Sequence, residues 1–178
     1  MDSPQLLNPN AGEVLKAACD AALANPAFQP SEGVTHCNQS AAFIAQALGC
    51  NELGGILADA DYLVMGRNAS GKWKNVTRFD AAIQALSNGL AFAILPSYRI
   101  MDGRDAETGK PIWAKHGHIA VVYPLGMQWS GSLQHDVPML ANVGKTVGVM
   151  KASAAFPVAS GDAYYFTWSG DAPGKANS

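Results

Sequence analysis

Cys37 and His118 are the two side chains whose types and surroundings could together perform nucleophilic chemistry. Cys37 stands in the segment THCNQS (35–40), directly before an apolar run at helical spacing (41–48). The unpaired N–H groups in the first turn of a helix carry roughly half a positive charge and favour a thiolate. The spacing also predicts that Cys37 lies on the inward, apolar face of that helix. A nucleophile at the mouth of a cleft fits this placement, and so does a buried structural thiol.

A cysteine nucleophile needs a general base within about 3 Å, and His118 is the best candidate. It begins the apolar run HIAVVY (118–123), which predicts a strand that would hold its backbone in place. His36 is the sequence neighbour of Cys37, so its side chain points elsewhere, and His135 lies in a polar segment. We therefore expect neither of them to be the base. The alternative for His118 is a structural histidine at a strand edge.

A third polar group must orient the imidazole ring, and Asn142 is the candidate for this role. It is one polar residue in an otherwise apolar strand that follows the His118 strand. Asn142 could equally form a turn before Gly144. Asp136 and His135 are the fallback candidates for orienting the ring.

Hydrophobic periodicity changes along the chain from helical to strand-like, which predicts an α+β fold rather than repeated βαβ units. We expect one domain over 1–178, with frayed tails at 1–9 and 169–178. Asn10 is expected to cap the first helix, whose inward face would include Val14, and the fourth helix would turn Phe79 and Ile83 to one face. Pro124 is expected to end the His118 strand. The predicted helices are 11–24, 37–48, 56–65 and 79–87, the predicted strands are 90–95, 118–123, 137–143, 146–150 and 163–168, and 73–76 is ambiguous.

Composition narrows the classes of function. The 178 residues are 48% hydrophobic and carry a formal net charge of −2 without a basic stripe, which argues against a nucleic-acid partner. The sequence contains no apolar run near the roughly 20 residues that span a bilayer. The N-terminus does not read as a signal peptide, which predicts a Sec-independent export route or a trimmed N-terminus.

The spacing of the cysteines and histidines predicts no metal site. Acidic residues collect at 102–107, but without the spacing of a calcium loop, and they predict a solvated hairpin tip. The segment 66–72 lacks the pattern of a phosphate-binding loop. If two of the three cysteines pair, a bond between Cys19 and Cys50 would leave Cys37 free.

The cysteine at the start of a helix and the strand GHIAVV (117–122) together resemble the papain-like peptidoglycan hydrolases of the NlpC and CHAP type. The chain looks closer still to the cysteine amidase effectors of type VI secretion. This resemblance covers the chain from about residue 34 onward. It implies a papain-like fold, in which N-terminal helices pack on a C-terminal antiparallel sheet.

The resemblance also implies a function, in which Cys37 is the nucleophile, His118 the base and Asn142 the third catalytic residue. The reaction would be hydrolysis of an amide bond in peptidoglycan stem peptides through a thioester, in the periplasm or cell wall, and it would need no metal or organic cofactor. A cognate immunity protein would be a possible partner. The candidate substrate contacts are His36, Asn38, Tyr98 and Trp113. Two alternatives stay open: the same dyad acting on another amide, as in a transglutaminase- or deamidase-like toxin, and a non-catalytic binding module.

Overall fold

The computed structural model describes residues 12–31 and 33–170. Its helices alternate little with its strands, and most helices precede most strands along the chain, as the periodicity predicts. Of the predicted tails, 1–9 and 171–178 lie outside the described residues, whereas the N–H and Oγ of Ser169 both bond to the carbonyl of Lys72. The helices are α1 (Glu13–Ala24), α2 (Cys37–Ala47), α3 (Ala58–Arg67), α4 (Arg78–Leu86) and α5 (Ala152–Ala155).

The strands form one large sheet and one small hairpin, and every neighbouring pair is antiparallel. Within the described residues the large sheet has the order β1-β8-β2-β5-β6-β7, and β3 pairs with β4. The predicted α+β class with an antiparallel sheet is confirmed. The strands are β1 (Trp73–Val76), β2 (Ala91–Leu95), β3 (Met101–Arg104), β4 (Pro111–Trp113), β5 (His118–Ser130), β6 (His135–Val143), β7 (Val147–Lys151) and β8 (Tyr164–Trp168).

The first helix is capped by a residue that is distant in sequence. Oδ1 of Asn88 accepts hydrogen bonds from the backbone N–H groups of Val14 and Leu15, at 2.9 and 3.3 Å. The predicted cap, Asn10, lies outside the described residues. Leu15 is fully buried, but Val14 is 61% exposed, so the prediction that Val14 belongs to the inward face is wrong.

Helix α4 begins with a capping box between Thr77 and Asp80, in which each side chain accepts from the other residue's backbone N–H. Its inward face is made of alanines at 81, 82 and 85. Phe79 is 47% exposed and Ile83 is 63% exposed, so the prediction that they mark the packed face is wrong. Small side chains bring the helix axis close to the sheet, and this close contact outweighs the larger apolar area of the opposite face.

Two strands depart from their predicted limits. The ambiguous segment at 73–76 is strand β1, which pairs with β8 at the sheet edge and interrupts the order of helices followed by strands. Strand β5 continues past Pro124 to Ser130, so the predicted stop is wrong. The pairing with β6 shifts register between Val122 and Met127, and such an irregularity accommodates a residue that has no N–H to donate.

The site residues lie at the centre of the sheet because β5 runs between β2 and β6. The side chains of β2 are all buried, and His118 at the start of β5 pairs with Leu95 at the end of β2. All three cysteines are free thiols, so the suggested Cys19–Cys50 disulfide is not formed. Among the described residues, none of the helices is long and apolar enough to cross a membrane.

Candidate active site

Cys37 is the first residue of α2 and has its side chain on the buried face, as predicted. Cys37 is only 5% exposed, and the apolar residues that follow it at helical spacing, Ala41, Ile44 and Leu48, are buried as well. His36 precedes the helix, and its Nδ1 lies 2.7 Å from Oε1 of Gln39. His36 is therefore engaged with its own helix.

His118 and Asn142 meet across the β5–β6 pair. Nε2 of His118 lies 2.7 Å from Oδ1 of Asn142, and Asn142 is 3% exposed. Nδ2 of Asn142 donates to the carbonyl of Thr146 at 2.6 Å, which determines that the amide turns its oxygen toward the ring. Nε2 must then carry the proton, and Nδ1 is left with the free lone pair that a base needs.

The thiol lies next to the beginning of β5. The backbone N–H of Ile119, the residue after His118, faces Sγ of Cys37 and favours its thiolate form, as do N–H groups at the start of α2. No hydrogen bond joins Sγ directly to the imidazole within the described residues. The fold thus brings the Cys37 thiol to the beginning of the strand on which His118 contacts Asn142.

Burial controls the protonation of both groups. It raises the pKa of the Cys37 thiol, and the N–H groups of Ile119, Asn38 and Cys37 itself lower this pKa only in part. Burial also lowers the pKa of His118, while the hydrogen bond to Asn142 acts in the opposite direction. The expectation that the helix N-terminus favours a thiolate is therefore wrong for the free protein, because desolvation outweighs the backbone N–H groups. Both shifts favour the uncharged forms, a thiol on Cys37 and a neutral imidazole on His118.

The imidazole is also held by packing. The ring of Phe156 meets it edge-on, with 5.1 Å between the ring centroids. On its other side lies Gly144, where an added Cβ would come 3.1 Å from Cε1 of His118. Sequence reasoning treated Gly144 as a turn former only and did not use Phe156, because neither residue has a pattern that links it to His118.

A groove of about 700 Å³ opens beside His118 and Asn142. Its walls come from the beginning of β3, from the connection between β4 and β5, from the β6–β7 turn and from the segment after α5. Thr35 reaches its edge, whereas Cys37 does not line it. The long segment 96–115 contributes residues such as Met101 and Lys115 to these walls.

The other candidate residues lie apart from this groove. Asn38 donates from Nδ2 to the carbonyl of Gly55, and Tyr98 and Trp113 are exposed side chains that do not line the groove. The fallback residues His135 and Asp136 pair with Ser130 and Trp129 at the far end of β5. The structure therefore does not bring these two to His118.

Asp61 is a buried acid close to the thiol that sequence reasoning did not single out. It is 1% exposed, and within the described residues its Oδ2 has no hydrogen-bond partner. Burial raises its pKa to about 6, although the N–H of Gly54 acts in the opposite direction. The charge of Asp61 in turn contributes to the raised pKa of Cys37.

The described residues contain no group of three or more His, Cys, Asp and Glu side chains placed to hold a metal ion. What the site offers is a thiol, a base with a fixed tautomer and a groove beside them. This geometry stands alone as a guide to function, because comparison with models of known protein families and with curated protein sequences found no match to the chain.

Proposed function

We propose that this protein is a papain-like cysteine hydrolase that cleaves an amide bond in bacterial peptidoglycan stem peptides. The observation that carries the proposal is the 2.7 Å contact between His118 and Asn142, at the beginning of the strand whose Ile119 N–H faces the Cys37 thiol. A nucleophile, a base and a group that orients the base are the parts that acyl transfer requires. The resemblance of both motifs to NlpC- and CHAP-type enzymes supports peptidoglycan as the substrate.

Catalysis begins from the neutral pair. As Sγ of Cys37 attacks the amide carbonyl, Nδ1 of His118 takes the thiol proton, so that thiolate forms only while the C–S bond is being made. The oxyanion of the tetrahedral intermediate accepts from the Cys37 N–H and from a donor near Thr35 or His36. This step requires the thiol and the His118 ring to form a hydrogen bond, and catalytic hydrogen bonds often tighten only when substrate binds.

The second half of the cycle returns the enzyme to its starting state. The C–N bond breaks as Nδ1 of His118 delivers its proton to the leaving nitrogen, and the acyl half stays on Cys37 as a thioester. Water then attacks the thioester while His118 takes one of its protons. The C–S bond breaks, the product leaves as a carboxylate or acid, and the proton returns to the thiolate.

Two cysteine variants test the proposal. Cys37→Ala removes the nucleophile and should abolish the release of fragments from purified peptidoglycan, as followed by mass spectrometry. Cys50→Ala is the matched control, because Cys50 is also a buried free thiol but lies beyond the C-terminal end of α2, and it should retain the activity. Both variants should keep the far-UV circular dichroism of the wild-type protein.

The products separate the possible outcomes. New amine and carboxylate ends at one stem-peptide bond, present with wild type and absent with Cys37→Ala, would support the proposal. Unchanged fragments from Cys37→Ala, or no cleavage of any peptidoglycan by the wild-type protein, would contradict it. A mass shift that reports deamidation or transfer to an amine, without chain cleavage, would assign the same dyad to another amide.

A further inference from the structure

We propose that the groove beside His118 binds the leaving-group half of the substrate and selects one that carries a carboxylate, through Lys115 and Lys145. This inference rests on the proposed amide hydrolysis and adds to it the chemical class of the group that departs.

The roles of Cys37 and His118 determine which half of the substrate the groove holds. The acyl half of the substrate is bonded to Sγ of Cys37 after the first step, and Cys37 does not line the groove. The leaving nitrogen takes its proton from His118, which does line it, together with Asn142. The amine half must therefore depart along the His118 side, where the groove of about 700 Å³ lies.

The charges in the groove indicate what the leaving group carries. Lys115, in the β4–β5 connection, and Lys145, in the β6–β7 turn, line the groove from two separate walls. Both are exposed, and in the described part of the chain neither forms an ion pair. The other titratable side chains that line the groove are Asp102, His116 and His118 itself. The two lysines and the one aspartate together contribute a net charge of +1.

A free amine that leaves into this groove becomes an ammonium group and would be repelled by both lysines. A carboxylate on the same leaving residue is instead attracted to the lysines, and this pairing stabilises the leaving residue in the groove while the C–N bond breaks. Phe156 and Met101 supply apolar surface for the stem of such a residue. The structure thus favours a leaving amino acid with a free carboxylate over the corresponding neutral amide.

The test uses two peptides with the same acyl half. In one the leaving residue has a free carboxylate, and in the other this carboxylate is a carboxamide. Wild type should cleave the carboxylate peptide with the higher kcat/KM. Lys145→Gln and Lys115→Gln should each lower the ratio of the two kcat/KM values by roughly three- to tenfold, and added NaCl should lower it as well. Asp102→Asn, which removes the groove's acid, should raise the ratio.

Lys74→Gln is the matched control, because Lys74 is an exposed lysine on β1 at the sheet edge and lies outside the groove. It should leave the ratio unchanged. Equal cleavage of both peptides by wild type would overturn this inference while leaving the hydrolase assignment intact. A preference that survives in both groove-lysine variants would also overturn it. Failure to cleave either peptide or peptidoglycan would instead contradict the proposed function.

Discussion

Asn142 decides which nitrogen of His118 is basic. Its amide is fixed by the 2.6 Å bond from Nδ2 to the Thr146 carbonyl, so its oxygen is the only group that it can offer to Nε2. Asn142 acts through His118, which makes it a positioning residue. An aspartate in its place would keep the acceptor for Nε2, lose the donor for Thr146 and add a negative charge.

Substitution of Asn142 should separate these effects. Asn142→Ala frees the ring and should lower kcat by roughly tenfold to a hundredfold, part of the 10²–10⁴ that a base contributes. Asn142→Asp should raise the pKa of His118 through the added charge, and the acid limb of kcat/KM should move to higher pH. Kinetics and NMR titration of the His118 ring protons measure both. A loss of stability without any change in kcat or in the pH profile would show a structural role only.

At neutral pH the buried charge of Asp61 destabilises the folded state near the nucleophile. Its pKa rises from 3.8 in a solvated chain to about 6 in the fold. Between these two pH values the folded state keeps a proton on Asp61 that the unfolded state has lost. The stability that this proton provides is complete below about pH 3.8 and is lost as the pH rises through about 6. The difference corresponds to about 3 kcal/mol at neutral pH.

Asp61→Asn removes this titration. The free energy of unfolding of the variant, compared with wild type, should improve by about 3 kcal/mol between pH 3.5 and pH 7.5, whatever constant offset the amide introduces. Urea unfolding at the two pH values measures the change. The alkylation rate of Cys37 against pH should also shift to lower pH, because the nearby negative charge is gone. A parallel offset at both pH values would contradict the raised pKa.

At the scale of elements, the junction between β2, α3 and β5 fixes where His118 stands. Gly117 directly precedes His118, and an added Cβ there would lie 2.6 Å from Oδ1 of Asp59 and 2.8 Å from the carbonyl of Leu95. The Asp59 oxygen is itself held by the N–H of Ser97 at 2.7 Å. The strand can therefore begin at His118 only because residue 117 has no side chain.

Gly117→Ala should displace the start of β5. We expect a loss of about 1–3 kcal/mol in the free energy of unfolding, as for overpacking in a core. Activity should fall by roughly tenfold or more, because a displacement of about 1 Å can cost a hundredfold. Gly131→Ala is the control, since nothing lies within 4 Å of its added Cβ and it should change neither quantity. Normal activity in Gly117→Ala would show that the junction does not position His118.

Local patterns predicted the elements that carry Cys37, His118 and Asn142, because each stands in a short segment with clear periodicity. They failed where packing between distant segments determines which side chains are buried or brought together. The alanine face of α4 is buried against the sheet while Ile83 is exposed, although the spacing of the large apolar residues predicts the opposite. The groove is assembled from segments far apart in sequence, so Lys115 and Lys145 have no local signal that joins them.

At the scale of the whole molecule, the loop between α2 and α3 connects the sheet edge to the nucleophile. At one end Glu52 accepts hydrogen bonds from the indole N–H groups of Trp73 and Trp168, which face each other on β1 and β8. At the other end the N–H of Gly54 faces Asp61 and lowers its pKa, and the carbonyl of Gly55 accepts from Asn38, next to Cys37. One short segment thus contacts both the β1–β8 edge of the sheet and the beginning of α2.

Glu52 should make this connection sensitive to acid, in the opposite sense to Asp61. Burial opposes ionisation of Glu52, but the hydrogen bonds from Trp168, Ser70 and Trp73 outweigh it and lower its pKa below 4.5. The stability that it contributes is therefore present above about pH 4.5 and is lost as the pH falls through its folded pKa. Glutamine has one acceptor oxygen, and its NH₂ group would face a buried indole donor.

Glu52→Gln should lower the free energy of unfolding by about 1–3 kcal/mol at pH 7, and the deficit relative to wild type should shrink toward pH 3. Chemical unfolding at pH 7, 5 and 3 measures it. Glu107→Gln, at the exposed tip of the β3–β4 hairpin, is the control and should match wild type at every pH. A deficit of equal size at all three pH values would mean that packing of the loop, rather than the charge of Glu52, holds the sheet edge to the helix of Cys37.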